Sequence, residues 1–447
     1  MESIVIRNAT IINEEQQFVA DLLLKGGRIE KIAPQITVNY QVTELEATGK
    51  YVFPGIIDDQ VHFREPGLTH KATIQTESRA AVAGGTTTFM EMPNTNPPAF
   101  TQELLEEKYQ IAAKHSAANY SFYMGTSNDN YEDVMKTDAS KVCGVKIFMG
   151  SSTGNLLVDD PRVLEKIFAN SPMLIATHCE DEARILANLA KYKEVYPNGA
   201  PAEIHPVIRD TEACYLSSSF AVKLAKAKDT RLHVLHISTA KEVELFDDPR
   251  PLGQKRITAE ACVHHLNFHD ADYLTLGNLI KCNPAIKTIA DRDAIRKALL
   301  DNHIDVIATD HAPHTAAEKN QPYFAAPSGL PLVQHSFDLM YQGFLDGWIT
   351  LAQIARKMSH APAVCFNIKE RGFIREGYHA DLFIFDPHTS FTVNASNILY
   401  KCQWSPLVGR TFQGKVETTL VNGQIAYSSK SENQWNTIGE RVAFETR

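Results

Sequence analysis

Eight short apolar runs recur between about residues 53 and 365, and helix-like segments follow nearly all of them. Continuous apolar strands that alternate with helices indicate a parallel sheet covered on both faces. Eight repeats of this unit favour a closed (β/α)8 barrel, the TIM barrel, over an open doubly wound sheet, and the G-x-G-x-x-G turn is missing. The runs are FPGIIDDQVHF, TTTFMEMPN, YSFYMGTS, VCGVKIFMG, MLIATHC, LHVLHIS, ITAEACVHHL and DVIATDHAPH.

The two ends of the chain have a different pattern. Residues 1–52 and 366–447 contain β-branched stretches broken by turn residues, and neither end has a long helical period. Two separate flaps would each bury little surface. We therefore predict an α/β protein in which both termini build one small β domain beside a barrel of residues 53–365.

The composition excludes several classes of protein. Forty-four Lys and Arg against 53 Asp and Glu give a net charge of −9, which argues against nucleic-acid or membrane-surface partners. The chain has no 18-residue apolar run, and its start lacks the layout of a signal peptide. Seven cysteines without a C-x-x-C motif are typical of reduced, mostly buried thiols. We therefore expect a cytoplasmic enzyme.

Polar residues lie at the carboxyl ends of the predicted strands. Those ends meet at one mouth of a barrel, where active sites are built, so we expect these side chains to converge. A single histidine at a strand end is usually a packed core residue, but agreement among independent strands favours a metal site. Imidazole and carboxylate are the ligands expected for zinc with an open position. The residues concerned are His62, Asn94, Lys146, His178, His236, His264 and Asp310.

Lys146 is unusual because it ends a buried strand, where a lysine ordinarily snorkels or pairs with an acid. Burial lowers the pKa of a lysine and leaves a neutral, nucleophilic amine. That amine could form an imine with a carbonyl substrate, or it could take up carbon dioxide and become an anionic carbamate ligand. The residues alone leave both chemistries open.

Seven motifs, in order, resemble those of dihydroorotases of the amidohydrolase superfamily. The resemblance extends over most of the chain, including the tail from RGFIREGYHADLFIFDP to LVNGQIAY. It implies a (β/α)8 barrel with a small β-sandwich made from both termini. Allantoinases and hydantoinases share the barrel and the metal pattern but resemble less the arginine of HFREPG and the DHAPH ending. The motifs are PGIIDDQVHFREPG, FMEMPNTNPP, GVKIFMG, THCEDE, LHVLHIST, KCNPAI and ATDHAPH.

The resemblance implies a zinc centre with one or two ions per chain. A carbamylated Lys146 would bridge two ions. His178 and His236 would bind one ion, and His62 with Asp310 would bind the other. Asp310 would also be the catalytic acid/base that moves the proton.

The resemblance also implies a pocket for an anionic substrate. Arg64, Asn94 and His314 would hold the substrate carboxylate, and Asn283 with the AAPSGLP loop would close over the ring. Arginine offers the planar fork that suits a carboxylate, whereas an asparagine among prolines is by itself typical of a turn. The small-residue segment 315–331, which contains the loop, is a predicted lid.

One position departs from the family pattern. The first predicted strand of the family carries His-x-His, and this chain has Gln60-Val61-His62. An amide oxygen is a weaker zinc ligand than an imidazole. We therefore predict that the metal position served by His62 is weak or vacant, which makes a one-metal enzyme a serious alternative to a two-metal one.

The predicted function is reversible cyclisation of N-carbamoyl-L-aspartate to dihydroorotate and water, a step of pyrimidine synthesis. Two alternatives remain. The chain could be another cyclic amidase, an allantoinase or a hydantoinase. It could also be a non-catalytic homologue that partners aspartate transcarbamoylase, for which Gln60 is the only support. The resemblance further implies a homodimer.

Overall fold

The computed structural model describes residues 3–150, 156–158, 160–431, 436 and 438–446. The N-terminal β-branched runs form five strands. β1 pairs antiparallel with β2, β2 pairs antiparallel with β3, and β4 and β5 both run parallel to β1. The strands are β1 (Ile4–Asn13), β2 (Gln16–Lys25), β3 (Arg28–Ala33), β4 (Thr43–Glu46) and β5 (Tyr51–Pro54).

The central region alternates strands and helices as predicted. Its strands are almost wholly buried, as expected for a parallel sheet covered on both faces. The elements are β6 (Ile56–Val61), α1 (Ile74–Ala83), β7 (Thr86–Glu91), α2 (Gln102–His115), β8 (Asn119–Phe122), β9 (Met124–Gly125), α3 (Tyr131–Lys136), β10 (Val145–Met149), α4 (Pro161–Asn170), β11 (Ile175–Cys179), α5 (Glu182–Val195), α6 (His205–Ile208), α7 (Thr211–Lys228), β12 (Leu232–Val234), α8 (Ala240–Val243), β13 (Ile257–Cys262), α9 (Val263–Asn267), α10 (Tyr273–Leu276), α11 (Ile289–Leu300) and β14 (Val306–Ala308).

Eight strand positions close into a barrel. Strands β6, β7 and β8 pair in parallel, and β9 to β14 form a second parallel series in chain order. β8 and β9 occupy one position, interrupted only at Tyr123. The ring closes where Val61 pairs with His311 and the His62 N–H donates to the His311 carbonyl at 2.7 Å. This confirms the predicted (β/α)8 barrel.

The rest of the chain adds helices and then returns to the first sheet. β15 pairs antiparallel with β5, so the sheet runs β17-β16-β15-β5-β1-β2-β3 with β4 beside β1. Both ends of the chain therefore build one β unit, as predicted, while the predicted domain boundaries stay predictions. The remaining elements are α12 (Ala316–Lys319), α13 (Ser336–Leu345), α14 (Leu351–Ala355), α15 (Ala361–Cys365), β15 (Leu382–Thr392), β16 (Thr411–Val421) and β17 (Gln424–Ser428).

Buried aromatic rings join the terminal sheet to the barrel. The Phe53 ring of β5 stacks on the Phe383 ring of β15 with centroids 5.2 Å apart. Phe337 of α13 meets Phe383 edge-on at 4.8 Å and Phe385 at 5.0 Å. Edge-to-face pairs add to the apolar burial of these rings, so one cluster fixes the sheet against the helical layer of the barrel.

The seven cysteines are free thiols, and six of them are buried, in line with the sequence expectation. Within the described part of the chain, no helix combines the length and the apolar character needed to cross a membrane.

Candidate metal centre

Two histidines meet at the carboxyl ends of β11 and β12. His178 lies on β11, His236 follows β12 by two residues, and their Nδ1 and Nε2 atoms are 2.9 Å apart. The backbone of His236 is left-handed, with φ of +40°, which is uncommon outside glycine. The Glu260 carboxylate accepts the His236 backbone N–H at 3.0 Å and so supports this turn. The turn aims the imidazole at His178.

A carboxylate fixes the tautomer of His178. The ring donates its Nε2–H to Glu180 at 2.9 Å, so Nδ1 presents a lone pair toward His236. This arrangement is typical of a metal-binding histidine, whose second nitrogen is held by a carboxylate. Burial alone would raise the pKa of Glu180, but Arg209 and His178 more than offset it, and the pKa lies well below its usual range. Burial lowers the pKa of both histidines, so both rings are neutral near pH 7, the form that binds a metal ion.

A second group of donors lies at the ends of β6 and β14. The His62 Nε2 atom is 3.0 Å from Asp310 Oδ1, and the Gln60 amide donates to the same oxygen at 3.2 Å. The His62 Nδ1 atom is 2.8 Å from the Asn94 side-chain oxygen. Asp310 has a left-handed φ of +45°, as His236 does. Non-glycine residues in this region cluster at functional sites.

The protonation of His62 is compatible with a bound cation. Burial lowers the pKa of His62 despite the attraction of Asp310, and His62 in turn holds the Asp310 pKa below its usual value although burial opposes this. A neutral ring carries one proton, yet both ring nitrogens face oxygens. With that proton directed to Asn94, the Nε2 lone pair faces a carboxylate. This donor pair fits a metal cation.

Lys146 lies on β10 with only 1% of its surface exposed. Its Nζ atom is 4.6 Å from the centroid of the Phe148 ring. Burial lowers the Lys146 pKa to about 7, with smaller opposing effects from Asp310 and Glu260. Near neutral pH a large share of this amine is therefore uncharged, which is the form that reacts with carbon dioxide.

Two cationic side chains, Arg64 and Lys71, meet around His314 beside the His62 end of the site. The neutral His314 ring donates Nε2–H to the Ser328 carbonyl at 2.9 Å and accepts from Lys71 Nζ at 3.0 Å. The Arg64 guanidinium packs against the same ring, with its outer nitrogen 3.1 Å from Nε2. Burial, Arg64 and Lys71 all lower the His314 pKa. Because that nitrogen already carries its proton, this Arg64 donor remains available to an anion.

The roles of Asn94 and Asn283 in substrate binding stay predictions, and the structure gives their contacts in the free protein. Asn94 contacts His62, and its side chain makes no hydrogen bond with Arg64 or His314 among the described residues. The Asn283 side-chain oxygen is buried without a hydrogen-bond partner. The predicted lid segment 315–331 lies against the barrel mouth, because Lys319 donates to the carbonyls of Lys281, Pro327 and Gly329 at 2.9–3.1 Å.

Sequence reasoning missed three residues of this site. Lys71 follows Arg64 by seven residues, and nothing in the loop pattern brings it to His314. Glu180 is the acid two residues after His178, a spacing that points both side chains the same way on an extended strand. Arg209, which pairs with Glu180, comes from a distant turn and leaves no sequence signal.

Two further groups of donors are close enough to hold a metal ion. Both are buried. The floor group consists of Asp59, His233 and Glu260, and lies deeper in the barrel. The thiol–imidazole group consists of Cys262, His264 and His265, at the end of β13 and in α9.

Comparisons with known proteins identify the family of this chain. The sequence model of the amidohydrolase family matches residues 51–426. A dihydroorotase of Latilactobacillus sakei is 34% identical over 95% of this chain and 98% of its own length. A dihydroorotase of Enterococcus faecalis is 33% identical over 96% of this chain and 99% of its own length. The solved structure of an L-hydantoinase (dihydropyrimidinase) from Arthrobacter aurescens superposes with a TM-score of 0.93 at 25% identity, covering 99% of this chain and 100% of that one.

Proposed function

The chain belongs to the amidohydrolase family and is a hydrolase of cyclic amides, and we propose that it is a metal-dependent dihydroorotase. Its substrates would be dihydroorotate and N-carbamoyl-L-aspartate, which it would interconvert for pyrimidine synthesis. The observation that carries the proposal is the anion-binding group of Arg64, Lys71 and His314 beside Asp310. Dihydroorotate has a carboxylate next to its cyclic amide, whereas hydantoin and allantoin lack one.

The donors described above indicate which residues would hold the metal. His178 and His236 would bind one zinc ion with Lys146, carbamylated in the active form. The Gln60 amide turns its nitrogen toward Asp310, so its side chain is engaged as a donor and not as a metal ligand. This supports a centre with one strongly held ion and a weak position at His62. A bound divalent cation would lower the pKa of a water molecule and polarise the ring carbonyl.

Asp310 is the residue placed to move the proton. His62 and Gln60 both contact its Oδ1 atom, which leaves Oδ2 to take a proton from the attacking water and deliver it to the ring nitrogen. One acid/base can serve both steps when its pKa keeps it ionised at the start, and the pKa of Asp310 is lowered by His62. In the reverse direction Asp310 would take the proton from the closing nitrogen.

Arg64 and Lys71 would orient the substrate. Arg64 is buried, with 8% of its surface exposed, and its backbone is left-handed with φ of +69°. Its Nε–H donates to the Pro313 carbonyl at 3.1 Å, which fixes the guanidinium beside His314. A buried guanidinium binds a carboxylate more strongly than an exposed one. Lys71 also pairs with Glu318 at 3.0 Å, so it is fixed in place before substrate arrives.

A side-by-side assay tests the proposal. Metal-replete protein should hydrolyse dihydroorotate and cyclise N-carbamoyl-L-aspartate, should act poorly or not at all on hydantoin and allantoin, and should lose turnover with a chelator. Zinc added back should restore it. Preference for hydantoin or allantoin would instead identify another cyclic amidase, and no turnover with any of the four compounds would favour a non-catalytic partner protein.

Three further proposals rest on the sequence and on the family resemblance. The protein would be cytoplasmic and homodimeric, and it could associate with aspartate transcarbamoylase. Light scattering of the purified chain, alone and mixed with that enzyme, measures both assemblies.

A further inference from the structure

The thiol–imidazole group of Cys262, His264 and His265 has no role in the reaction proposed above. The Cys262 thiol and one nitrogen of each ring all lie within 4.8 Å of one another. None of the three residues is more than 3% exposed. A metal ion with ligand distances of roughly 2.0–2.3 Å needs only small side-chain movements to touch all three atoms.

His265 is held as a metal ligand would be. Its Nε2 atom lies 3.1 Å from the Pro284 carbonyl and must donate its proton there. The Nδ1 atom of a neutral ring is then unprotonated, and it is buried without a hydrogen-bond partner. Burial and the neighbouring His264 keep the pKa of His265 well below its usual value, so the ring is neutral. A backbone carbonyl that fixes the tautomer of a free nitrogen is typical of metal-binding histidines.

His264 is the more unusual residue, because neither ring nitrogen makes a hydrogen bond of normal geometry in the described structure, and the Thr309 backbone is the one hydrogen-bonding group that acts on its pKa. The ring is fully buried and lies 4.2 Å from the His265 ring, centroid to centroid. Burial lowers its pKa to about 4, with smaller opposing effects from Asp310 and the Thr309 backbone. A buried polar group without a strong partner is unfavourable, and a bound cation would supply the missing interaction.

Cys262 supplies the third donor. Its thiol lies 3.2 Å from Glu260 Oε1 and 3.8 Å from the Gln60 side-chain oxygen. Burial and the nearby Glu260 and Asp310 carboxylates raise its pKa well above the usual value, so the free protein holds a thiol. A cation reverses this preference because the thiolate is the ligand form.

The floor group does not need a metal ion, because protons alone can balance the charges of its buried side chains. His233 lies 3.1 Å from Asp59 and 3.8 Å from Glu260, and its pKa is raised well above the usual value by Cys365 and these carboxylates despite burial. The imidazolium pairs with Asp59, and burial and Asp59 raise the pKa of Glu260 to about 7, so protons on His233 and Glu260 balance the charge of the group near neutral pH. The thiol–imidazole group has no such internal partner for its two lone-pair nitrogens.

We propose that Cys262, His264 and His265 form a second metal-binding site, selective for zinc or another thiophilic divalent cation and separate from the His178 and His236 donors. Binding would form one metal–sulfur and two metal–nitrogen bonds and release the Cys262 proton to solvent. A water molecule would complete a four-coordinate ion.

Cobalt(II) binding to the full-length protein tests the proposal, because a cobalt–thiolate bond gives a charge-transfer absorption in the near ultraviolet that imidazole ligands do not give. A His178→Ala background removes a donor of the catalytic centre and leaves this site intact. We expect one equivalent of the thiolate band in the natural protein and in His178→Ala, and its loss in Cys262→Ser. Cys143→Ser is the matched control, since Cys143 is a buried thiol before β10, at the opposite end of the barrel, and should leave the band unchanged.

His264→Gln provides a second test that keeps the thiol. Zinc affinity in the His178→Ala background should fall by at least about 100-fold, because loss of even an outer partner of a ligand costs roughly 10- to 100-fold. Circular dichroism checks that each variant is folded, and zinc-edge anomalous diffraction from the natural protein should place a peak among the three residues. The proposal is overturned by the absence of the band at saturating cobalt, by a band that survives in Cys262→Ser, or by no anomalous peak at this position. These readouts do not depend on turnover. An inactive enzyme would therefore contradict the proposed function but would not contradict the proposed metal site.

Discussion

At the scale of single residues, Arg64 is the residue that we propose selects a carboxylate-bearing substrate. Its guanidinium packs beside the His314 ring, 3.1 Å from Nε2. Arg64→Lys keeps the charge but loses the planar fork. We expect KM for dihydroorotate to rise about 30-fold, or about 2 kcal/mol, the usual value of a charged hydrogen bond. Steady-state kinetics measures this.

Arg184→Lys is the matched control for that change, because Arg184 forms an exposed pair with Asp210 on the outer face of the barrel. Its kinetic constants should not change. An unaltered KM in Arg64→Lys would show that the substrate carboxylate is bound elsewhere.

Gln60 is the residue on which the proposed number of metal ions depends. Gln60→His would place an imidazole beside Asp310 and His62, where the natural side chain donates its amide N–H. Bound zinc at the catalytic centre should rise by one equivalent per chain. The measurement is metal content by atomic emission in a Cys262→Ser background, with Gln413→His, at an exposed position of β16, as the control. The one-metal interpretation is contradicted if the zinc content of Gln60→His is unchanged. It is also contradicted if the catalytic centre of the natural protein already holds two zinc ions.

At the scale of elements, helix α13 contains a carboxyl group that makes stability depend on pH. Asp338 is 6% exposed, and burial raises its pKa from 3.8 to about 7, with Lys415 opposing the shift. Between these two values the folded state binds more protons than the unfolded state. Stability should therefore be fully present below about pH 4 and decline as the pH rises to about 7, by up to ~4 kcal/mol.

Asp338→Asn should remove most of this decline, because the amide does not ionise. Urea denaturation at half-unit steps from pH 4 to pH 8 measures the slope. Asp346→Asn, at an exposed position just after α13, is the control. Equal slopes in the natural protein and in Asp338→Asn would assign the pH dependence to other groups.

The barrel strands were predictable because each is a continuous apolar run, and the convergence of His178, His236 and Asp310 follows once the barrel is closed. The hydrogen bonds of the site could not be predicted from the sequence. They depend on left-handed turns at Arg64, His236 and Asp310, which side-chain type does not reveal because non-glycine residues rarely adopt them. The contact of Lys71 with His314 also depends on loop conformation, which apolar periodicity does not encode.

At the scale of the whole molecule, the aromatic cluster between sheet and barrel holds the two units together. Phe337 is 1% exposed and contacts rings from both β15 and α13. Phe337→Ala should lower the free energy of unfolding by about 3–5 kcal/mol, the usual range for a buried phenylalanine. Denaturant unfolding measures this.

Phe220→Ala, at a side chain that is 45% exposed on α7, is the control and should change stability by less than about 1 kcal/mol. A similarly small loss in Phe337→Ala would mean that the sheet and the barrel are stabilised independently.

The pairing of β5 with β15 also has a consequence for biosynthesis. β5 is synthesised early, and its partner strand β15 is synthesised only after the whole barrel. Until then, the edge of residues 51–54 that pairs with β15 has no partner strand. An uncovered strand edge is a template for joining other chains, and pairings distant in sequence form slowly. Nascent chains stalled before β15 are therefore the form of this protein most in need of a chaperone.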